Sequence, residues 1–370
     1  MELYPLASCS LTNWLRLLIA NGGVEPAHLP KALAVTCLSL TGSLGRAIER
    51  LAYDSTLAEI TLTKPPIFVI GHWRSGTTFL HNLISQDPNL AYASCHQVLA
   101  PELFMGSGYI TKPLMTRLMP EKRPMDNVLL GLDSPQEEEF ALSCMSPYSF
   151  YNGWFFPTRM QSHFERYVLF QNVPPTVQES WKATYLKFLK KISLASGHRQ
   201  LLLKNPTNTA RIRLLLELFP DAKFIHIYRN PYVVYSSTRN FYRKFLPLVG
   251  FQTLSEAELE ENILWIYRQL MQRFFDERSF IPASNLVEVK YEDLEADPIR
   301  ELARIYDNLN LLNFTEVNPR FASYLNHQTS YRKNQYDLEP DLVRAIYQAW
   351  QFTIDQWQYQ PPNQSELSRV

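Results

Sequence analysis

The segment Ile67-Phe68-Val69-Ile70-Gly71-His72-Trp73-Arg74-Ser75-Gly76-Thr77-Thr78 has the fewest folding options of any in the chain. Its first four residues are apolar and rich in β-branched side chains, opened by Pro65-Pro66 and closed by glycine, which suits a short strand buried on both faces. From Thr77 to Ser85, Phe79, Leu80, Leu83 and Ile84 recur at helical spacing. Two glycines with four residues between them therefore fall between a strand and a helix. Glycine lets a backbone approach closely, and the N–H groups and dipole at a helix start favour an anion. Glycine is scarce, 12 in 370 residues, so the pair is not a by-product of composition. The segment reads as a phosphate-binding loop; the competing reading is a purely structural strand-to-helix turn.

The same alternation recurs downstream. Leu201-Leu202-Leu203 reads as a strand that passes through Lys204-Asn205-Pro206 into a helix with Ile212, Leu215, Leu216 and Phe219 on its apolar face. Asp221 to Tyr228 returns as a strand, Pro231 starts a helix, and Leu286 to Val289 leads into Tyr291-Glu292-Asp293-Leu294 and a helix near Asp297-Pro298. This order predicts an α/β, P-loop-type three-layer fold with a central parallel sheet and ligands at the carboxyl ends of the strands. Before Lys64-Pro65-Pro66, Leu11 to Ala20 and Leu29 to Leu51 carry apolar residues at helical spacing, so residues 1–60 read as a helical N-terminal extension and 61–370 as the main domain. Residues 105–175, rich in Pro, Met and aromatics, break the alternation and read as a lid or acceptor insertion.

Lys+Arg and Asp+Glu are equal at 36 each, which argues against a nucleic-acid partner. With 46% hydrophobic and 19% charged residues the chain can bury a full core. Cys9, Cys37, Cys95 and Cys144 show no metal-ligand spacing, and no signal-peptide pattern is visible. The uncharged run Ala32 to Gly45 is shorter than the ~20 apolar residues a membrane span needs. A cytoplasmic protein is expected, with the N-terminal helices as candidates for peripheral membrane contact. No sequence feature bears on oligomeric state.

A phosphate loop of an ATP-hydrolysing type needs a lysine after the second glycine and a carboxylate for magnesium. Here Thr77 follows Gly76, the basic residue is Arg74, and the strands beginning at Leu201 and Asp221 run into Lys204 and Arg229. The pocket reads as one in which protein cations hold a nucleotide with no required metal.

Arg74-Ser75-Gly76-Thr77-Thr78, then Lys204, then Phe224 to Pro231 with Ser237, resembles the 3′-phosphoadenosine-5′-phosphosulfate (PAPS)-dependent sulfotransferases, most closely their bacterial-type branch. Tyr291-Glu292-Asp293-Leu294 with Asp297-Pro298 is similar to that family's late strand-to-helix segment. The resemblance implies that Arg74, Ser75, Gly76, Thr77 and Thr78 contact the 5′-phosphosulfate and that Arg229 and Ser237 hold the 3′-phosphate. It places Phe79 on the adenine, a position that core packing explains as well. Arg332 and Lys333 resemble a basic segment closing on the 3′-phosphate, with a solvated charge pair as the alternative. It also implies sulfuryl transfer to a hydroxyl, or an amine, by in-line displacement, with Arg74 and Lys204 offsetting the charge on the departing phosphate.

The cytosolic branch carries its basic histidine two positions after the lysine, where this chain has Pro206. Two other sources of a general base remain. Asp133 to Leu142 reads as a proline-started helix with Glu137, Glu138 and Glu139 in its first turn, one of which could point into the site; Glu137 and Glu138 are the candidates, and a merely charged helix start is the alternative. His96, near a strand at Ala91 to Ala93, is the other, and His72 reads as a cofactor or acceptor contact. The Met- and aromatic-rich insertion suggests an apolar, lipid-like or aromatic alcohol as acceptor, although core packing explains most of those residues. An ATP-dependent phosphotransferase and a non-catalytic, membrane-peripheral nucleotide-binding protein are the alternative functions.

Overall fold

The structure is a computed structural model that describes residues 5–118, 131–327 and 338–361. Five short strands, β1 (Ile67–Ile70), β2 (Leu90–Ala91), β3 (Gln200–Lys204), β4 (Lys223–Tyr228) and β5 (Leu286–Lys290), form one sheet in the order β2-β3-β1-β4-β5. β1 pairs parallel with β4, Ile67 opposite Lys223 and Ile70 opposite His226, and β4 pairs parallel with β5 from Phe224–Leu286 to Tyr228–Lys290. Every residue of β1 is buried, as the continuous apolar run requires, whereas the edge strand β5 buries only Val287 and Val289. The sheet has the α/β, parallel character expected from the alternation of elements.

The chain divides into two compact units: Met1–Lys64, Ala91–Leu203 and Lys244–Leu254 form one, and Pro65–Leu90, Lys204–Arg243 and Ser255–Val370 the other. The first contains three N-terminal helices, α1 (Leu11–Ala20), α2 (Leu29–Thr41) and α3 (Ser43–Glu59). The apolar pattern from Leu29 to Leu51, continuous in the sequence, is cut into two helices at Gly42, a poor helix former. Aromatics fill this unit's core. Trp14 packs on Phe251 and Phe156, and Trp154 stacks on Tyr151 at 3.8 Å with Phe150 and Phe245 at its edges. The aromatics at 150, 151 and 154–156 are all within 1% of complete burial, so packing accounts for them. Tyr109 is 79% exposed.

This core also holds charge. Glu49 Oε2 accepts from the backbone N–H groups of Met105 and Gly106 at 2.9 and 2.8 Å, while Oε1 pairs with Lys191. Lys191 donates in addition to the Pro101 carbonyl and lies 4.7 Å from the centre of the Phe104 ring. Burial pulls the Lys191 ammonium below its usual pKa, and Glu49 opposes that shift.

In the second unit, α4 (Thr77–Ile84) follows β1 directly. The long helix Glu256–Glu277 packs on Pro340–Gln356, Tyr267 stacking on Trp350 at 3.8 Å and its hydroxyl meeting Thr353 Oγ1 at 3.3 Å. Among the described residues no helix is long and apolar enough to cross a membrane.

Breaking the buried pair strands a charge. Lys191→Met is expected to lower unfolding stability by ~3 kcal/mol, and adding Glu49→Gln to restore part of that loss. Urea unfolding of the two variants checks this; a Lys191→Met midpoint equal to the wild type's would show that the pair contributes nothing.

Candidate functional site

The second unit brings the predicted phosphate ligands together. Gly71 and Gly76 have φ of 138° and 95°, in the region that favours glycine. A Cβ on Gly71 would meet the Ile227 carbonyl oxygen at 2.2 Å, and one on Gly76 the Tyr291 ring at 2.3 Å. Each glycine is therefore required by a close approach as well as by its backbone angle. Gly71 N–H donates to Thr209 Oγ1 at 2.7 Å, and that hydroxyl donates back to the Gly71 carbonyl at 3.2 Å, which pins the start of the loop. Ser75 N–H closes the turn onto the His72 carbonyl at 3.2 Å, and Gly76 serves as the N-cap of α4. Arg74 also lies in the left-handed region, at φ 69°, a conformation that costs a residue with a Cβ about 1 kcal/mol.

Three cations converge on this loop. Lys204, at the end of β3 and 1% exposed, donates to Thr78 Oγ1 at 3.3 Å. Arg74 Nε donates to Ser237 Oγ at 2.9 Å, and its guanidinium carbon lies 5.8 Å from the centre of the Phe241 ring. Arg229 follows the end of β4, donates to the Arg74 carbonyl at 3.4 Å and stacks over Tyr291 at 4.1 Å. Arg74 and Ser237, which the resemblance assigns to the two ends of one nucleotide, thus share a hydrogen bond. Phe79 is half-buried at the start of α4. Arg332 and Lys333 lie outside the described residues.

His72 is not a solvent-facing group. It packs against Trp73 and Tyr267, Nδ1 lies 2.6 Å from the Trp73 carbonyl, and burial pushes its pKa down to about 3. The ring is neutral near pH 7.

The proposed bases belong to the first unit. The helix expected to start at Pro135 starts at Glu138 instead, and Glu137 is its N-cap in extended conformation. The reason is a backbone pairing: Pro135 bridges Ser94, and Gln136 N–H donates to the Ala93 carbonyl at 2.8 Å, which holds these residues extended. All three acids are buried. Glu137 accepts from the Tyr151 hydroxyl, and Glu139 accepts from Ser149 Oγ and Phe150 N–H, both at 2.9 Å. Glu138 lies in the first helical turn, where the dipole favours a carboxylate. The strand expected at Ala91 to Ala93 ends at Ala91; Ser94 then caps the short helix Cys95–Leu99 that carries His96. His96 Nε2 meets Thr111 Oγ1 at 2.9 Å, and burial, aided by Lys112, lowers its pKa.

Three structural contributors carry no obvious sequence signal. Thr209 sits in the buried turn Pro206–Ala210, where the sequence suggested the continuation of a helix. Tyr291 supports both Gly76 and Arg229. Glu292 accepts from Asn230 N–H at 3.2 Å and from the Tyr359 hydroxyl at 2.7 Å, tying the residue after Arg229 to the chain's last described turn. The resemblance marks Tyr291-Glu292 only as part of a late strand-to-helix segment and assigns neither residue a role.

The profile described as "Sulfotransferase family" matches residues 65–316. The omega-hydroxy-beta-dihydromenaquinone-9 sulfotransferase Stf3 of Mycobacterium bovis, and the protein of the same name from Mycobacterium tuberculosis, are 34% identical to the chain over 352 residues, covering 95% of it and 90% of theirs. Among solved structures, sulfotransferase STF9 from Mycobacterium avium is similar in fold with a TM-score of 0.69 at 18% identity, over 94% of this chain and 96% of that one. Sulfotransferase STF1 from Mycobacterium tuberculosis gives 0.58 at 18% identity, over 91% and 90%.

The buried neutral His72 makes stability depend on pH. Unfolded, the ring titrates near 6.5; folded, near 3, so its contribution is complete above 6.5 and is lost as the pH falls toward 3. The loss is up to ~1.4 kcal/mol per pH unit. His163, pushed down to about 4 by burial, adds to the same slope. Thermal unfolding of His72→Gln is therefore expected to vary less steeply with pH than that of the wild type between pH 6.5 and 4; identical slopes would contradict the assignment.

Proposed function

The chain belongs to the sulfotransferase family, and from that premise we propose that it moves a sulfuryl group from PAPS to the hydroxyl of an apolar, lipid-like alcohol. The carrying observation is the convergence of Arg74, Lys204, Arg229 and Ser237 on a loop whose glycines admit close backbone approach. These residues fit a nucleotide with phosphates at two positions. The loop from Ser75 to Thr78 with Lys204 is suited to the 5′-phosphosulfate, and Arg229 with Ser237 to the 3′-phosphate. Phe79 is suited to the adenine.

The donor, when bound, supplies an activated sulfuryl group with adenosine 3′,5′-bisphosphate as leaving group. The acceptor oxygen forms a bond to sulfur as the bond from sulfur to the phosphate oxygen breaks, and the hydroxyl proton passes to a base. Lys204 and Arg74 offset the charge that grows on the departing phosphate, and because Lys204 is desolvated its effect exceeds what it would have in water. The proton acceptor is assigned to the acid pair Glu137 and Glu138. His96 is the second candidate; the resemblance to the bacterial-type branch favours the acid pair, although Glu137 and His96 each already engage a hydroxyl.

The acceptor reading draws support from the 34% identical relative, whose name specifies a hydroxylated menaquinone derivative. A cytoplasmic setting belongs to the same reading, and the residues named require no metal. The Thr77 that replaces a Walker lysine gives the ATP-dependent phosphotransferase no comparable support.

Lys204→Ala is expected to lower kcat for sulfate transfer by ~100- to 1000-fold while leaving adenosine 3′,5′-bisphosphate affinity within a few-fold. Ser237→Ala should instead raise the donor KM. Glu137→Gln and Glu138→Gln identify the base, as the one that lowers kcat with donor binding intact. Radiolabelled transfer to long-chain alcohols reads all four variants; wild-type turnover in Lys204→Ala, or transfer confined to soluble sugars, would overturn the proposal.

A further inference from the structure

Two charges of α3 point inward while three of its large apolar side chains point outward; its other charges, Arg50, Asp54 and Glu59, are exposed, and Leu57 is buried. Arg46 and Glu49 are 4% and 3% exposed, whereas Leu44, Ile48 and Leu51, spaced along the other face of the helix, are 71%, 50% and 87% exposed. The buried charges have internal partners: Arg46 donates to the Ser8 carbonyl at 3.2 Å and to Ser43 Oγ at 3.1 Å, and Glu49 is held as described above. α2 buries no charge, with Ala32, Val35 and Ser39 inward, but it too turns large apolar side chains outward, Leu33 and Leu40 at 65% and 52% exposure. A helix that faces water turns its polar side outward. Two consecutive helices that also expose these five leucines and isoleucines, each at 50% or more, suit an apolar neighbour.

Composition does not explain the pattern. Of the 15 large apolar residues exposed among the described residues, only Phe280 and Leu312 lie outside this unit. Patches of this extent mark contact surfaces.

The charge around the patch identifies the neighbour. No acidic residue occurs from Pro26 to Ile48. Exposed Arg16 flanks Leu15 and Ile19 of α1, and the helix Gly108–Leu118, which exposes Tyr109 and Ile110, carries Lys112 and Arg117 and no acid. Of these cations Lys112 is paired with Asp133, and one further cation, Arg50, is paired with Glu102. Outward leucines and isoleucines beside arginines are the composition of helices that lie in the headgroup region of an anionic bilayer. A second copy of the chain would instead set like charges against each other across the interface.

The geometry points to α2 and α3, flanked by α1 and the helix Gly108–Leu118, as a surface that docks on an anionic lipid bilayer. Docking there deepens the proposed function, on which it rests only for the lipid-like acceptor: an apolar alcohol resides in the phase that this surface enters.

Flotation with vesicles of mixed phosphatidylcholine and phosphatidylglycerol tests it. The wild type is expected to float with mixed vesicles and less with phosphatidylcholine alone. The triple variant Leu44→Gln/Ile48→Gln/Leu51→Gln should lose at least about tenfold in partitioning, and Leu312→Gln, in the other unit, should lose nothing. Adenosine 3′,5′-bisphosphate binding, titrated without lipid, should be the same in all three, so failure of the donor site and failure of the surface are read separately. Should the triple variant lose that binding through misfolding, Leu51→Gln alone supplies the readout, as its side chain is 87% exposed. A wild type that stays in solution, or variants that float equally well, would overturn the inference. So would sedimentation showing a dimer that the substitutions dissociate while vesicles capture nothing.

Discussion

The backbone at Gly71 and Gly76 sits so close to its neighbours that neither position has room for a side chain, and the site depends on that closeness. At Gly71 the neighbour is the carbonyl of Ile227 in β4; at Gly76 it is the ring of Tyr291, just after β5. The loop is therefore held against the ends of two parallel strands, and Thr209 fixes its first peptide from the side. Tyr291 has a second task, because its face supports the Arg229 guanidinium. One ring thereby touches both the loop and the cation that follows β4, so the two candidate phosphate motifs share one support.

Electrostatics follow from this placement. The chain is formally neutral, with 36 basic and 36 acidic residues, yet Arg74, Lys204 and Arg229 gather at one loop. Overall neutrality and a local cluster of cations are compatible because a small anionic ligand would sample only the local field. Lys204 adds most for its number of charges, since it is almost fully buried. In the other unit, charge serves a different end: Arg46, Glu49 and Lys191 tie helices together from within and leave leucines to the outside.

Much of the candidate site's arrangement was legible in the sequence, because its parts are local. A strand, a glycine loop and a helix follow one another within residues 67–84, and Lys204 and Arg229 mark strand ends where a ligand edge is expected. Less legible were contacts between distant segments. Nothing near Thr209 announces that its hydroxyl meets Gly71, and nothing near Glu292 announces Tyr359. The start of the acid-bearing helix was misplaced because Pro135 suits a first helical turn as well as the extended bridge it makes with Ser94. The insertion's aromatics, read as mostly core with some acceptor lining, are buried core at 150, 151 and 154–156; composition cannot distinguish a lining from a filling. The outward Leu44, Ile48 and Leu51 of α3 were legible in part: the apolar periodicity was visible, but which face the helix buries depends on partners elsewhere in the chain.

The central claim is that protein cations at the strand ends recognise a nucleotide by its second phosphate. Calorimetric titration with adenosine 3′,5′-bisphosphate and with adenosine 5′-monophosphate, both in EDTA, tests it most directly. The account predicts that the bisphosphate binds at least about 100-fold more tightly, as an added charge-assisted contact to Arg229 and Ser237 implies. Equal affinities, or binding of the bisphosphate only when magnesium is restored, would contradict it.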